Sequence, residues 1–98
     1  SEIKSFNGKH VKEYQLKVFP NPFHDKTTIA YELDKETNVS VVIYNSSGIE
    51  VTRLVESQVQ AAGNYQFDFR PDQDARGMYF VVLRSGDSIT SKRFVFLR

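Results

Sequence analysis

The chain has 98 residues, 13 basic against 12 acidic, and its net charge of +1 comes from signs interspersed along the whole length. One hydrophobic core fits that size and a second domain does not, while the lack of a charge block excludes an electrostatic grip on nucleic acid or an anionic membrane. Cysteine is absent, which removes disulfides, thiol catalysis and thiolate-bound metal.

Residues 1–14 are polar, carry an Asn7-Gly8 turn signal and show no sustained period, so they read as a linker to something upstream, with or without a short early strand. The first residue is serine and no signal-peptide pattern follows it, as expected of a piece cut from a longer protein. Residues 15–98 read as one β domain. From Gln15 to Phe19 alternation puts Leu16 and Val18 on one face. The strand stops at Pro20-Asn21-Pro22-Phe23, where two prolines fix φ, remove backbone donors and force a stiff corner between two phenylalanines that favour burial. Thr27 to Leu33 follows, with Ile29, Tyr31 and Leu33 on one face and Thr28, Ala30 and Glu32 on the other.

Val39 to Tyr44 is apolar enough for a central strand, with Val39, Val41 and Ile43 inward and Val42 and Tyr44 half covered behind. Asn45-Ser46-Ser47-Gly48 predicts a hairpin turn into Ile49–Val55, where Ile49 and Val51 share a face, and Glu56 to Gln60 reads as a polar connection. Ala61-Ala62-Gly63-Asn64 leads into Tyr65–Phe69, three aromatics at strict period two. After a loop containing Pro71, Gly77 opens Met78–Leu83, apolar at every position and expected to be covered on both faces. Ser85-Gly86-Asp87-Ser88 is a second hairpin turn, and Ile89–Leu97 closes the chain with Phe94 and Phe96 facing one way, Val95 and Leu97 the other. No stretch has helical periodicity. Short strands at this spacing predict an all-β fold, an antiparallel Ig-like or fibronectin-like β-sandwich of about seven strands.

Chemistry is hard to find in these residues. There is no Gly-x-Ser-x-Gly elbow and no phosphate-cradling glycine loop. His10 and His24 have no second ligand at a metal-binding spacing and read as solvated surface residues. Asp72-Gln73-Asp74-Ala75-Arg76-Gly77 resembles the opening of a calcium loop, but Arg76 and Leu83 stand where oxygen ligands belong, so it reads as an acidic loop. Asn38-Val39-Ser40 and Asn45-Ser46-Ser47 match the glycosylation sequon by letter alone. Alternation assigns Tyr65, Phe67 and Phe69 to the core rather than to a sugar-stacking platform. The residues thus point to a non-catalytic domain with no cofactor, metal or small-molecule substrate.

Five signals in order resemble the C-terminal sorting domain of the type IX secretion system: Val18-Phe19-Pro20-Asn21-Pro22, Val41–Asn45 with Gly48 and Val51, Ala62-Gly63 before Tyr65–Phe69, Gly77–Leu83, and Lys92-Arg93-Phe94-Val95-Phe96-Leu97. The resemblance runs from about Leu16 to Arg98. It implies that the domain directs an upstream cargo, exported through the periplasm, to the outer-membrane translocon. A sortase then commonly removes the domain and attaches the cargo to the cell surface; other cargo is released outside. Within that pattern Pro20, Asn21 and Pro22 belong to the first motif, Gly77 and Tyr79 to the second, and Lys92, Arg93 and Phe94–Leu97 to the third, with Gly48 and Gly63 as turn positions. The family usually has lysine immediately before its final apolar run; here that place is held by Arg93, and arginine is not an equivalent donor.

The same residues also have a purely structural reading. Prolines shape corners, glycines permit unusual backbone angles, and a charged residue keeps an edge strand soluble. A terminal strand with an open edge is, in addition, suited to β-augmentation by a receptor. The competing functional class is an Ig-like accessory or adhesive spacer, binding glycan or protein beside another domain. A spacer can sit anywhere in a chain, whereas a sorting domain ends it.

Overall fold

The computed structural model describes residues 16–97, so the linker and early strand expected in residues 1–14 lie outside the described residues. Seven strands follow one another without a helix: β1 (Leu16–Phe19), β2 (Thr27–Leu33), β3 (Thr37–Asn45), β4 (Glu50–Gln60), β5 (Gly63–Phe69), β6 (Gly77–Ser85) and β7 (Ser88–Phe96). They form a three-stranded sheet of order β1-β2-β5 and a four-stranded sheet of order β4-β3-β6-β7, with every neighbouring pair antiparallel. This is the Ig-like, fibronectin-like sandwich that the strand spacing predicts.

Period-two patterning decides which side chains enter the core. In β2 the buried residues are Thr27, Ile29, Tyr31 and Leu33; in β6 they are Tyr79, Val81 and Leu83; in β7 they are Phe94 and Phe96. β3 is interior to its sheet and buries Val39, Val41 and Ile43 completely. Tyr65 and Phe67 of β5 pack partly buried against this core, so the aromatic alternation there is core and not platform. Tyr31 stacks on Tyr65 and Phe67 and donates its hydroxyl to Gln60 Oε1 at 2.7 Å.

The chain changes sheets once at its start. β1 pairs with β2 in the first sheet, and after the proline corner Phe23 forms a parallel bridge with Phe96 in the second. The two sheets are thereby joined along the side where β1 runs beside β7.

Two expectations are corrected. Glu56–Gln60 is not a connection but the second half of β4, which runs to Gln60. Its polar composition misleads because β4 is an edge strand with irregular pairing: register shifts fall between Val39 and Val41, Val41 and Val42, and Ile43 and Tyr44 of its partner. At one of them Ser57 adopts φ 44° and its N–H donates to Ser40 Oγ at 3.0 Å. Each irregularity breaks the inward alternation, so Val51 and Val59 are exposed and Val55 is the only fully buried side chain of β4. Bulges of this kind also spoil an edge for pairing with another chain. Ile49 falls just outside the strand and is exposed like Val51. The second correction concerns β6. Its outward residues Met78, Phe80 and Val82 are partly solvent-accessible, since nothing among the described residues covers that face.

Two outcomes test this account of the core. Phe96→Ala removes a ring stacked at 4.9 Å on Phe23 and lowers unfolding free energy by about 3–5 kcal/mol, measurable by urea denaturation of the 98-residue chain. Burial, only partly offset by the Gln60 hydrogen bond, pushes the Tyr31 phenol up to about 12. The folded state therefore holds the neutral form. Ionisation is therefore costlier in the folded than in the unfolded chain, so stability is unaffected below pH 10 and falls as pH rises from about 10 to 12. Urea midpoints across that range fall steeply in the parent chain and less so in Tyr31→Phe.

Candidate functional site

The candidate motif residues are far apart in sequence, and most of them meet at one end of the sandwich. The first contributor is the segment Pro20–Phe23. Pro20 and Pro22 have no N–H to give, and both Phe19–Pro20 and Asn21–Pro22 are cis. Backbone pairing with a neighbouring strand is possible here only through Asn21, Phe23 and the carbonyls. Asn21 supplies a side-chain amide whose Nδ2 can donate and whose Oδ1 can accept, as the N–H and C=O of a peptide do. Its Nδ2 donates to Arg93 O at 3.2 Å, and its Oδ1 accepts from Val95 N at 3.0 Å. One step further, Phe23 N donates to Val95 O at 3.0 Å and Leu97 N donates to Phe23 O at 2.8 Å.

These four bonds clasp the outer edge of β7 from Arg93 to Leu97. The expectation of an open terminal edge for β-augmentation is therefore corrected for those residues: their outward backbone groups are already paired within the chain. Only the earlier part of the strand, around Ile89 and Ser91, has no such partner among the described residues.

Below the clasp the rings pack together. Phe23 is fully buried, stacked on Phe96, tilted against Phe94 at 6.0 Å and edge-on to Phe69 at 6.4 Å. Phe94 in turn stacks on Tyr79 at 5.6 Å and meets Phe69 edge-on. Offset and T-shaped contacts of this kind add about 0.5–1.5 kcal/mol each beyond burial. Thr27, the one buried polar side chain among the described residues, donates its hydroxyl to Pro20 O at 2.7 Å and so anchors the corner from the β2 side.

The second motif joins the same cluster by register. Gly77 lies opposite Phe96, and Tyr79 opposite Phe94. Gly77 adopts φ +138°, a conformation open to glycine and strained for other residues, although a Cβ there would meet nothing within 4 Å. Its requirement is thus one of backbone angle alone. The Tyr79 hydroxyl donates to Ala75 O, four residues upstream at the β5–β6 corner, which is the tyrosine-corner arrangement of Ig-like sandwiches. Burial and the nearby Asp72 carboxylate raise its pKa. Gly48 belongs to this end too, because Asn45 pairs with Tyr79 and the turn begins there. Asn45 Oδ1 accepts from Ser47 N and Ile49 N, and Gly48 turns the chain at φ +82°.

Gly63 does not join them. It pairs with Leu33 at the opposite end of the sandwich. Lys92 and Arg93 lie partway along β7, opposite Val81 and Phe80, and strand alternation sends their side chains to opposite faces. Lys92 is half-buried on the side of Phe94; Arg93 is exposed on the outer side. The two cations therefore do not make one basic patch. Val95 faces outward half-buried, and Leu97 is 42% exposed.

Phe23, Phe69, Thr27 and Ala75 are the members of this site that the motifs omit, and of Phe23 the sequence shows only a ring at the proline corner that favours burial. Phe69 was legible only as a core ring. The roles of Thr27 and Ala75 carry no sequence signal, since each rests on one hydrogen bond to a backbone carbonyl fixed by the fold. Chemically the site is a clasp: backbone pairing, stacked rings and two glycine-dependent turns. Among the described residues no group of three or more His, Asp or Glu side chains is placed to hold a metal ion.

A search of curated proteins returned no significant match to the chain. A family model described as the secretion system C-terminal sorting domain matches residues 17–97, which spans the whole sandwich but for Leu16. With the match covering all three motifs and the clasp that joins them, the chain belongs to the family of C-terminal sorting domains that serve as signals for type IX secretion.

Proposed function

We propose that what the secretion machinery reads is the folded clasp end of this sandwich, not a linear tail. The family assignment means export of a cargo to the cell surface or the extracellular space and interaction with the type IX machinery; the family itself is not catalytic. On this reading the outer-membrane translocon binds the end where Pro20–Phe23, Gly77–Tyr79 and Phe94–Leu97 meet. Arg93 offers it an exposed cation beside the clasp. The chain reaches the translocon through the periplasm, and residues 1–14 are the junction to the cargo at which a sortase acts. Neither catalysis nor a cofactor has a part in it. The single observation that supports this is the Asn21 side-chain amide bridging Arg93 and Val95 across more than 70 residues of sequence. A linear signal would have no use for such a bridge. Nothing in the structure favours the spacer reading.

The test fuses residues 1–98 to the C-terminus of a fluorescent reporter bearing an export signal, in a host with the type IX system. Deleting β7 is uninformative, because it strips Phe94 and Phe96 from the core. Point variants separate folding from recognition. Arg93→Ala keeps the fold and loses a charge-assisted contact of about 1.5–3 kcal/mol with the machinery, so surface delivery falls about tenfold or more. Arg93→Lys restores part of it. Asn21→Ala removes two exposed hydrogen bonds, lowers stability by about 1–2 kcal/mol, and delivery falls with the folded fraction. Retention of the folded parent fusion in the periplasm would sink this function. Full delivery of a demonstrably unfolded clasp variant would sink the folded-shape reading alone.

A further inference from the structure

The sandwich has four strand edges, and three of them are closed to a partner over much of their length. β1 is four residues long and ends at a proline, β4 has an irregular register, and β7 is clasped from Arg93 to Leu97. β5 has none of these devices. It pairs with β2 through seven consecutive residues without a register shift, contains no proline, and has no strand on its other side among the described residues. Its outward N–H and C=O groups make the kind of regular ladder that folded proteins ordinarily blunt.

The ground beside that edge is shaped for one more strand. On the opposite flank the two sheets are joined, because β1 runs beside β7 there. With three strands set over four from that flank, β4 extends past β5. The two strands are linked at one end by Ala61-Ala62, where the Tyr65 hydroxyl donates to Ala61 O at 2.6 Å, and they diverge toward the other. There a cleft of about 390 Å³ opens between Val51, Thr52 and Leu54 of β4 and Asp68 and Phe69 of β5. Leu54 is partly buried on its β4 wall, and Val51 is 43% exposed. The floor reaches Tyr79, but the cleft takes nothing from Pro20–Phe23, Arg93 or Phe94–Leu97.

Three features define what fits: it is thin, apolar on one side and cationic at one point. A folded second copy brought to this edge meets β4 before its own edge strand can pair, so a single extended segment fits and a whole domain does not. The seven strands of this chain are already spent in the sandwich, and residues 1–14 lack the period-two pattern that would set apolar side chains on Val51 and Leu54. Of the charged residues lining the cleft, Asp68 pairs with Lys26 at 3.5 Å and Arg70 with Asp25 at 2.9 Å. Asp72 has no ion-pair partner among the described residues, and Asp74 and Arg76 on the same corner balance in sign. One negative charge is left uncompensated at the mouth.

From this geometry we infer that the outer edge of β5 takes an extended segment of another protein by β-augmentation. Alternate apolar residues of that segment rest on Val51 and Leu54, and a lysine or arginine sits beside Asp72. Its source is a component of the secretion machinery, an assignment that rests on the secretion reading above. The site lies on the flank away from the clasp. Main-chain hydrogen bonds along β5 supply affinity, and the alternate side chains supply selectivity.

The experiment uses the full 98-residue chain fused to the reporter, with outer-membrane vesicles from cells with and without the type IX translocon as the probe. Hydrogen exchange reads the edge itself. Those amides of residues 64–68 that point away from β2 slow about tenfold or more with translocon-bearing vesicles, and not with vesicles of the extracted lipid. Val51→Lys and Asp72→Asn change exposed side chains and keep the thermal midpoint. Val51→Lys puts a charge in the cleft and weakens vesicle binding about tenfold. Asp72→Asn keeps the turn that Ala75 N closes on Asp72 O, weakens binding about two- to fivefold and lowers its salt dependence. Glu36→Lys, in the exposed β2–β3 turn at the other end, does neither. A photocrosslinker at position 51 forms adducts with a protein of those vesicles, and one at position 36 does not. Binding without protection at residues 64–68, equal binding by the parent and both variants, or adducts confined to a second copy or to the cargo of the same chain would each overturn this site. Failure of the parent itself to bind would instead overturn the secretion reading and, with it, the source assigned here.

Discussion

Everything at the functional end depends on one constraint: β7 is an edge strand, and its outward backbone groups from Arg93 to Leu97 need partners. A strand edge left bare invites pairing with other chains, and unpaired backbone groups half-sheltered from water carry a cost. The chain meets that need with the segment least suited to it. Pro20 and Pro22 cannot donate, yet the asparagine between them places an amide where a peptide group would stand, and Phe23 completes the ladder. Prolines with a single correctly placed amide give a stiff piece of strand that pairs on one short stretch and then leaves.

The clasp also couples the two sheets. β1 belongs to the first sheet, Phe23 to the second, and the Phe23 ring drops between Phe69, Phe94 and Phe96. Loosening the corner therefore loosens the aromatic cluster, and with it Tyr79 and its hydrogen bond to the β5–β6 corner. On the proposed reading, fold and signal are one object. That explains why residues of a sorting motif look structural when taken one at a time: Gly77 and Gly48 supply backbone angles, Tyr79 ties a corner, and Asn21 caps an edge. Arg93, by contrast, is exposed and has no ion-pair partner among the described residues.

The remaining edges follow the same logic by other means. β4 is long and exposed, and its irregular register with Ser57 at positive φ keeps it from offering a regular ladder. β1 is four residues long and stops at a proline. Against this economy the regular outer edge of β5 stands out.

The sequence by itself determined most of the strands, their inward faces and the sandwich, because period-two alternation and turn chemistry are local and most strands of this domain bury one face. It located the proline corner, the turn glycines and the core aromatics for the same reason. It also carried the family resemblance, which later matched residues 17–97. What it could not show is any relation between residues that only the fold makes neighbours. Asn21 reads as a turn residue until β7 is beside it, and Thr27 as a strand residue until Pro20 O is above it. Lys92-Arg93 reads as a basic pair until alternation puts the two side chains on opposite faces, and Glu56–Gln60 as a loop until a bulged edge admits polar residues to a strand. Tertiary structure decided these points because pairing across a sheet depends on register between distant segments, and no local period encodes register.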